Sequence, residues 1–246
     1  MSEGCTRRRW LAATLGASAA VMLWRPRAAA APASGGAPAS LFDGFPDKTA
    51  RRLRNRVELW RGYAARTQSL RARYTLTRRT SLLVDPLVVT GTLVFVAPAT
   101  LVLRDDAHVG STTRVVGDAV TITPNDSSAA ARGRESPALA WLRARMLTLF
   151  APPPGDNDPE LAARALLEGC DVSIPKGAGM QLLLQPRAGA DAITRALRSL
   201  RVRLDTMTGA VSALELEETL GDRVLLELGQ QQQNLDEDVL RQLIDR

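Results

Sequence analysis

The sequence predicts an α+β fold, in which an antiparallel sheet of about ten strands is accompanied by helices before, between and after it. Two observations predict it. The apolar period switches from 3.6 to 2 at Leu70, returns to 3.6 in the middle of the chain and does so again at its end. The strand candidates are separated by tight turn signals such as Gly117-Asp118 and Gly221-Asp222, which join neighbouring strands in antiparallel fashion.

Ahead of the fold stands a segment that is not expected to belong to it. Thr6-Arg7-Arg8-Arg9-Trp10-Leu11 precedes an uncharged run over residues 11–24, and Ala28-Ala29-Ala30 follows. A charged start, an apolar core of about 7–15 residues and a small-residue exit describe a cleaved export signal. The core falls short of the about 20 apolar residues that a membrane span needs. Paired arginines followed by an aromatic residue and Leu11 resemble a twin-arginine (Tat) signal, with an arginine-rich Sec signal as the alternative. Either route implies a protein that works in a bacterial periplasm. Pro32 disfavours a cut just before it, so cleavage is expected near Ala30 or after Ala33. Residues 1–30 carry five arginines and one glutamate, so the net charge of +6 falls by 4 to about +2 on their removal. A nucleic-acid partner, which needs a concentrated basic surface, then loses its basis. Cys5 leaves with the signal, so Cys170 is left alone, without an internal disulfide, and reads as a buried, inert thiol.

Residues 31–46 form a Pro/Ala/Gly-rich tether, and 47–246 a single domain. From Asp47 to about residue 69 an amphipathic helix places Leu53, Val57, Trp60 and Ala64 on one side, with Asp47 as its cap. Arg51, Arg52, Arg54, Arg56, Arg61 and Arg66 occupy the other faces, which read as solvated, with contact to anionic lipid as the alternative. Leu70, Ala72, Tyr74 and Leu76 then alternate with Arg71, Arg73, Thr75 and Thr77, a strand with one wet face. Residues 88–97 give a second strand, closed by Pro98, and 100–103 a third. Residues 113–116 and 119–123 form a hairpin about Gly117-Asp118. Ser136-Pro137 opens a helix to about residue 149, with Leu139, Leu142, Met146 and Leu149 on one side, and Asp158-Pro159 opens another to about residue 168. Strands at 170–174, 180–185, 197–204, 210–217 and 223–228 follow, the last three as a meander. The glutamines at 230–233 extend an edge, and 234–244 is a small helix. Successive antiparallel pairing is the simplest topology.

Residues suited to catalysis are sparse. His108 is the only histidine, which excludes a multi-histidine metal site and leaves one possible base for a Ser-His-Asp triad. Asp105-Asp106-Ala107-His108 is the best catalytic candidate by residue type and otherwise reads as a polar loop between strands. Asp171, Glu168 and the acids at 215–218 could pair in space but read as exposed turns. Ile174-Pro175-Lys176-Gly177-Ala178-Gly179 lacks the order of a phosphate-binding loop. No cofactor is expected. Leu93 and Phe95 point to one face of the second strand while Val94 and Val96 point to the other, so one face can pack on helices and the other can wall a cavity. A curved sheet with an apolar interior partly covered by helices is a lipid-sized container. A filled core is the alternative.

The order of several motifs resembles the LolA-type periplasmic lipoprotein carrier family. They are Leu70-Arg71-Ala72-Arg73-Tyr74, Asp85-Pro86-Leu87, and Gly91-Thr92-Leu93-Val94-Phe95-Val96-Ala97-Pro98; then residues 114–124 with the Gly117-Asp118 turn, Leu182-Leu183-Leu184-Gln185-Pro186, and 204–222 with Glu217-Glu218 and Gly221-Asp222. The resemblance spans residues 48–245 and is nearest to a LolA-related branch. It implies an unclosed barrel of about eleven antiparallel strands with helices as a lid. It also implies a non-enzymatic, monomeric carrier of acylated or lipid-like cargo between an inner-membrane donor and an outer-membrane acceptor. The cavity positions would be Tyr74 on the first strand, Leu93, Phe95 and Ala97 on the second, and Leu101 and Leu103 on the third. Carriers of this type place a basic residue immediately before the strand-ending proline, where it latches the lid; here that residue is Ala97. An interaction or sensing module with a filled core on the same fold is the other function this fold allows.

Overall fold

The computed structural model describes residues 42–43, 45–117, 119–126, 142, 146–150, 164, 170–175, 179–187 and 196–244. These belong to one compact unit, residues 39–246. The expected export signal, most of the tether and the expected helix at 158–168, apart from Arg164, lie outside the described residues.

Helix α1 (Asp47–Ala65) buries Leu53, Val57, Trp60 and Ala64, as their spacing requires. Asp47 is not its cap. Pro46 precedes the helix with φ −54°, its carbonyl accepts from the amides of Thr49 and Ala50 (2.7 and 2.9 Å), and no side chain caps the end. Asp47 is the first helical residue, where its charge faces the positive end of the helix dipole. The helix stops at Ala65 because Thr67 closes its last turn, the amide on Ala64 O (3.0 Å) and the hydroxyl on Tyr63 O (2.9 Å). Packing begins ahead of the helix, since Phe42 is already part of the core and carries Arg54 5.0 Å above its ring. Two arginines assigned to the wet faces are buried instead. Arg56 donates to Arg52 O and Gly179 O, and Arg61 stacks 5.3 Å from the Trp60 ring. Burial lowers the pKa of both.

Ten strands follow: β1 (Ser69–Arg79), β2 (Leu87–Val96), β3 (Thr100–Asp105), β4 (Ser111–Val116), β5 (Ala119–Pro124), β6 (Cys170–Ser173), β7 (Met180–Pro186), β8 (Leu197–Leu204), β9 (Val211–Glu218) and β10 (Arg223–Gln233). They form one antiparallel sheet in the order β5-β4-β3-β2-β1-β10-β9-β8-β7-β6, unclosed, with β5 and β6 at its edges. The α+β class and the open sheet are as the sequence predicts; the strands number ten among the described residues. Purely successive pairing fails at one place. β5 and β6 lie at opposite edges, and β1 pairs with β10, so two five-strand meanders are fused along the first and last strands.

The glutamine run is part of that seam rather than an edge. Gln231 accepts from Tyr63 OH (2.9 Å) and donates to Val211 O (2.6 Å), and Gln233 donates to the Thr67 hydroxyl. These bonds fasten the C-terminal end of α1 to the sheet. Helix α2 (Glu237–Ile244) buries no residue, and among the described residues no helix is long and apolar enough to cross a membrane.

Candidate functional site

Strand alternation builds one continuous apolar face. Leu70, Ala72, Tyr74 and Leu76 of β1 stand beside Leu93 and Phe95 of β2, Leu101 and Leu103 of β3, and Val224, Leu226 and Leu228 of β10. The structure gathers Tyr74, Leu93, Phe95, Leu101 and Leu103 in a single buried cluster. Ala97 is not with them. It lies past the end of β2 in the turn formed with the cis Ala97–Pro98 bond, exposed, with its amide on Gln68 O (2.8 Å).

The cluster divides in two. Leu93, Phe95 and Leu101 are wholly enclosed. Helical residues 146–150 pack above them: Phe150 lies 6.1 Å from the Phe95 ring, and the Trp60 indole donates to Leu149 O (2.9 Å). Toward the other end, Tyr74 and Leu103 border a cavity of about 190 Å³. Leu76, Val89, Leu226, Leu142 and Met146 complete its apolar walls, and Asp105, Ser111 and Thr113 supply polar atoms. Leu142 and Met146 are the covering side, so the expected helix at 136–149 contributes here through the residues that are described.

Asp105 orders the polar side of this cavity. Its carboxylate accepts from Tyr74 OH (2.6 Å), from the Ser111 amide (2.6 Å) and from the Ser111 hydroxyl (3.1 Å). Tyr74 can lie where it does because its partner across β1 and β2 is Gly91. A Cβ at Gly91 would come within 2.4 Å of Tyr74 Cζ and 2.2 Å of Arg104 O. A lone glycine in a strand rich in β-branched residues is a signal of close approach, and it marks this site. Leu76, Val89, Ser111, Thr113 and Leu226 have no comparable signal, because their role depends on which strands become neighbours.

The other chemical candidates are dispersed. His108 stands exposed on the β3–β4 loop with Nε2 3.4 Å from Asp126 Oδ2, while the Asp105 carboxylate turns to Tyr74 and Ser111. Asp106 lies on the opposite face, bonded by Arg73 and Thr90, and these bonds, the arginine's foremost, hold its pKa below the ordinary carboxylate range. Asp171 pairs with Arg187 (2.8 Å), Glu215 with Arg201 (3.0 Å) and Glu217 with Arg198 and Arg223 (3.4 Å each). Cys170 is buried. Among the described residues no group of three acidic, histidine or cysteine side chains could hold a metal ion.

No protein-family model and no curated protein sequence matches the chain. Solved structures do. The chain is similar to a LolA superfamily protein from Nitrosomonas europaea, at 7% identity and TM-score 0.39, over 76% of this chain and 96% of that one. It is similar to MucB, at 14% identity and TM-score 0.41, over 79% of this chain but 62% of that one. A further similarity is to the lipoprotein LppX of Mycobacterium tuberculosis, at 10% identity and TM-score 0.33, over 76% of this chain and 98% of that one.

Proposed function

We propose that this chain is a non-enzymatic periplasmic carrier that shelters the acyl chain of a lipid-like or acylated cargo, after export directed by its N-terminal segment. One observation carries the reading: a pocket of about 190 Å³ between the inner face of the sheet and Leu142 and Met146, with apolar walls and with Asp105, bonded to Tyr74 and Ser111, on its polar side. Such a site gains affinity from removing apolar surface from water, about 25 cal/mol per Å². Release needs only a better apolar site elsewhere, consistent with transfer from an inner-membrane donor to an outer-membrane acceptor.

The volume limits what the pocket accepts. Typical ligand pockets measure about 300–1,000 Å³, whereas an engineered apolar cavity of about 150 Å³ holds benzene. The pocket as it stands therefore takes a short apolar group, and a full acyl chain requires Leu142 and Met146 to move off the sheet. Ala97 offers no latch for this motion. The indole bond from Trp60 to Leu149 O ties α1 to the moving segment instead.

Titration with a fluorescent fatty acid tests the proposal. Saturable binding at micromolar protein is expected, and Leu76→Trp, which fills the cavity from a partly buried position, should weaken it at least tenfold with an unchanged circular dichroism spectrum. Non-saturable uptake would refute the carrier reading. The enclosure of Leu93, Phe95 and Leu101 beneath Trp60 and Phe150 favours a second reading, an interaction or sensing module whose core stays filled. That reading expects no probe binding in either protein.

A further inference from the structure

Large aliphatic side chains stand in solvent at one end of the sheet. On the β1–β2 connection Leu82 is 90% and Val84 102% exposed, Leu83 and the first residues of β2, Leu87 and Val88, are about half exposed, and on the β9–β10 turn Leu220 is 89% exposed. The two turns are neighbours. Arg79 pairs with Arg223 across β1 and β10, and the Ser81 amide donates to Asp222 Oδ1 (3.3 Å). β2 pairs with β3 only from Gly91 onward, and Thr90 is bonded by Asp106 just past β3, so Leu87 to Val89 project beyond the end of β3.

Side chains this exposed form a convex tip rather than a groove. Fluid acyl chains close around side chains that protrude in this way. The charges agree. Arg78, Arg79, Arg198 and Arg223 are matched by Asp85, Glu217, Glu218 and Asp222, with Arg78–Asp222 at 3.6 Å and Arg198 and Arg223 each 3.4 Å from Glu217. A balanced end has no pull toward an acidic headgroup layer. The inner face also runs out to this tip. Val89 lines the cavity, and Leu87, two residues along the same face, is half exposed at the rim.

The geometry points to insertion of this tip, Leu82, Leu83, Val84, Leu87, Val88 and Leu220, into the apolar layer of a phospholipid surface, independently of headgroup charge. This contact goes beyond the carrier reading and needs no cargo.

The full chain carrying Cys5→Ser tests it, labelled with an environment-sensitive dye at Val84→Cys or, as control, at Met207→Cys, which is 84% exposed in the β8–β9 turn at the opposite end. Cys170 is buried and stays unlabelled. With phosphatidylcholine vesicles the Val84 label should shift to the blue, equally in low and high salt, while the Met207 label does not. Leu82→Asp with Leu220→Asp, both at exposed positions, should remove the shift. A label at Val84 that ignores vesicles would leave the tip to a protein partner, and a shift on raising protein concentration alone would assign it to a second copy; either overturns the lipid assignment. Fatty-acid titration of the same samples separates the two proposals. Intact cargo binding without a vesicle shift sinks only the tip, and a vesicle shift without cargo binding sinks only the carrier.

Discussion

Replacing Gly91 by alanine should couple a loss of stability to a loss of binding. The added methyl would meet Arg104 O at 2.2 Å, Tyr74 Cζ at 2.4 Å and Tyr74 OH at 2.5 Å, none of them a contact that real atoms tolerate. The buried Tyr74 ring must turn away, and its hydrogen bond to Asp105 (2.6 Å) is broken. A hydrogen bond to a charged acceptor contributes about 1.5–3 kcal/mol, and forcing an extra carbon into a packed site costs about 1–3 kcal/mol. The sum, about 2.5–6 kcal/mol, is a large part of the about 5–15 kcal/mol that holds a domain together. With a urea slope of about 2 kcal/mol per M, the midpoint should fall by about 1.3–3 M. The open space beside the ring is the cavity that Tyr74 borders, so the displaced ring should also obstruct fatty-acid binding. Adding Tyr74→Leu should restore part of the stability and leave the Arg104 contact, a non-additive pair. A midpoint within about 0.3 M of the parent, or binding that survives unchanged, would refute the coupling of Gly91, Tyr74 and the cavity.

Three further outcomes are expected. Trp60→Phe leaves the Leu149 carbonyl without its indole donor, a cost of about 1–3 kcal/mol; amide exchange over residues 146–150 should accelerate, with faster probe entry. Asp205 accepts from the Thr208 amide and hydroxyl (2.8 Å each) and the Met207 amide (3.0 Å), bonds that hold its pKa below the ordinary range. A carboxylate depressed in the folded state stabilises fully above its unfolded value of about 3.9 and loses that contribution as pH falls through the folded value, so Asp205→Asn should flatten the acid fall in urea midpoint below about pH 4. A double-mutant cycle on Tyr63→Phe and Gln231→Ala should give a coupling of about 0.5–1.5 kcal/mol, as for a direct hydrogen bond.

Local pattern made most of the elements legible in the sequence. The spacing of Leu53, Val57, Trp60 and Ala64 selects the buried side of α1, and alternation from Leu70 to Thr77 selects the two faces of β1. The missed features are those decided by distant chain. β1 pairs with β10 across more than 140 residues of sequence, which no local period records. That pairing turns Gln231 and Gln233 from an apparent edge into the fastening of α1. Arg56 reads as a surface charge until Gly179 O is seen above it. Of the site, Tyr74 and Leu103 border the cavity, Leu93, Phe95 and Leu101 lie enclosed in the core, and Ala97 stands outside it because the proline turn has already ended the strand.

The most direct measurement is photo-crosslinking of the full chain with a diazirine-bearing fatty acid, followed by peptide mapping of the adducts. The carrier account predicts that label concentrates on the peptides containing Tyr74 and Leu76, Leu103, and Leu142 to Met146, and that excess unlabelled fatty acid removes it. Label spread over the surface, or confined to the exposed turns at residues 82–84 and 220 and insensitive to competition, would contradict it.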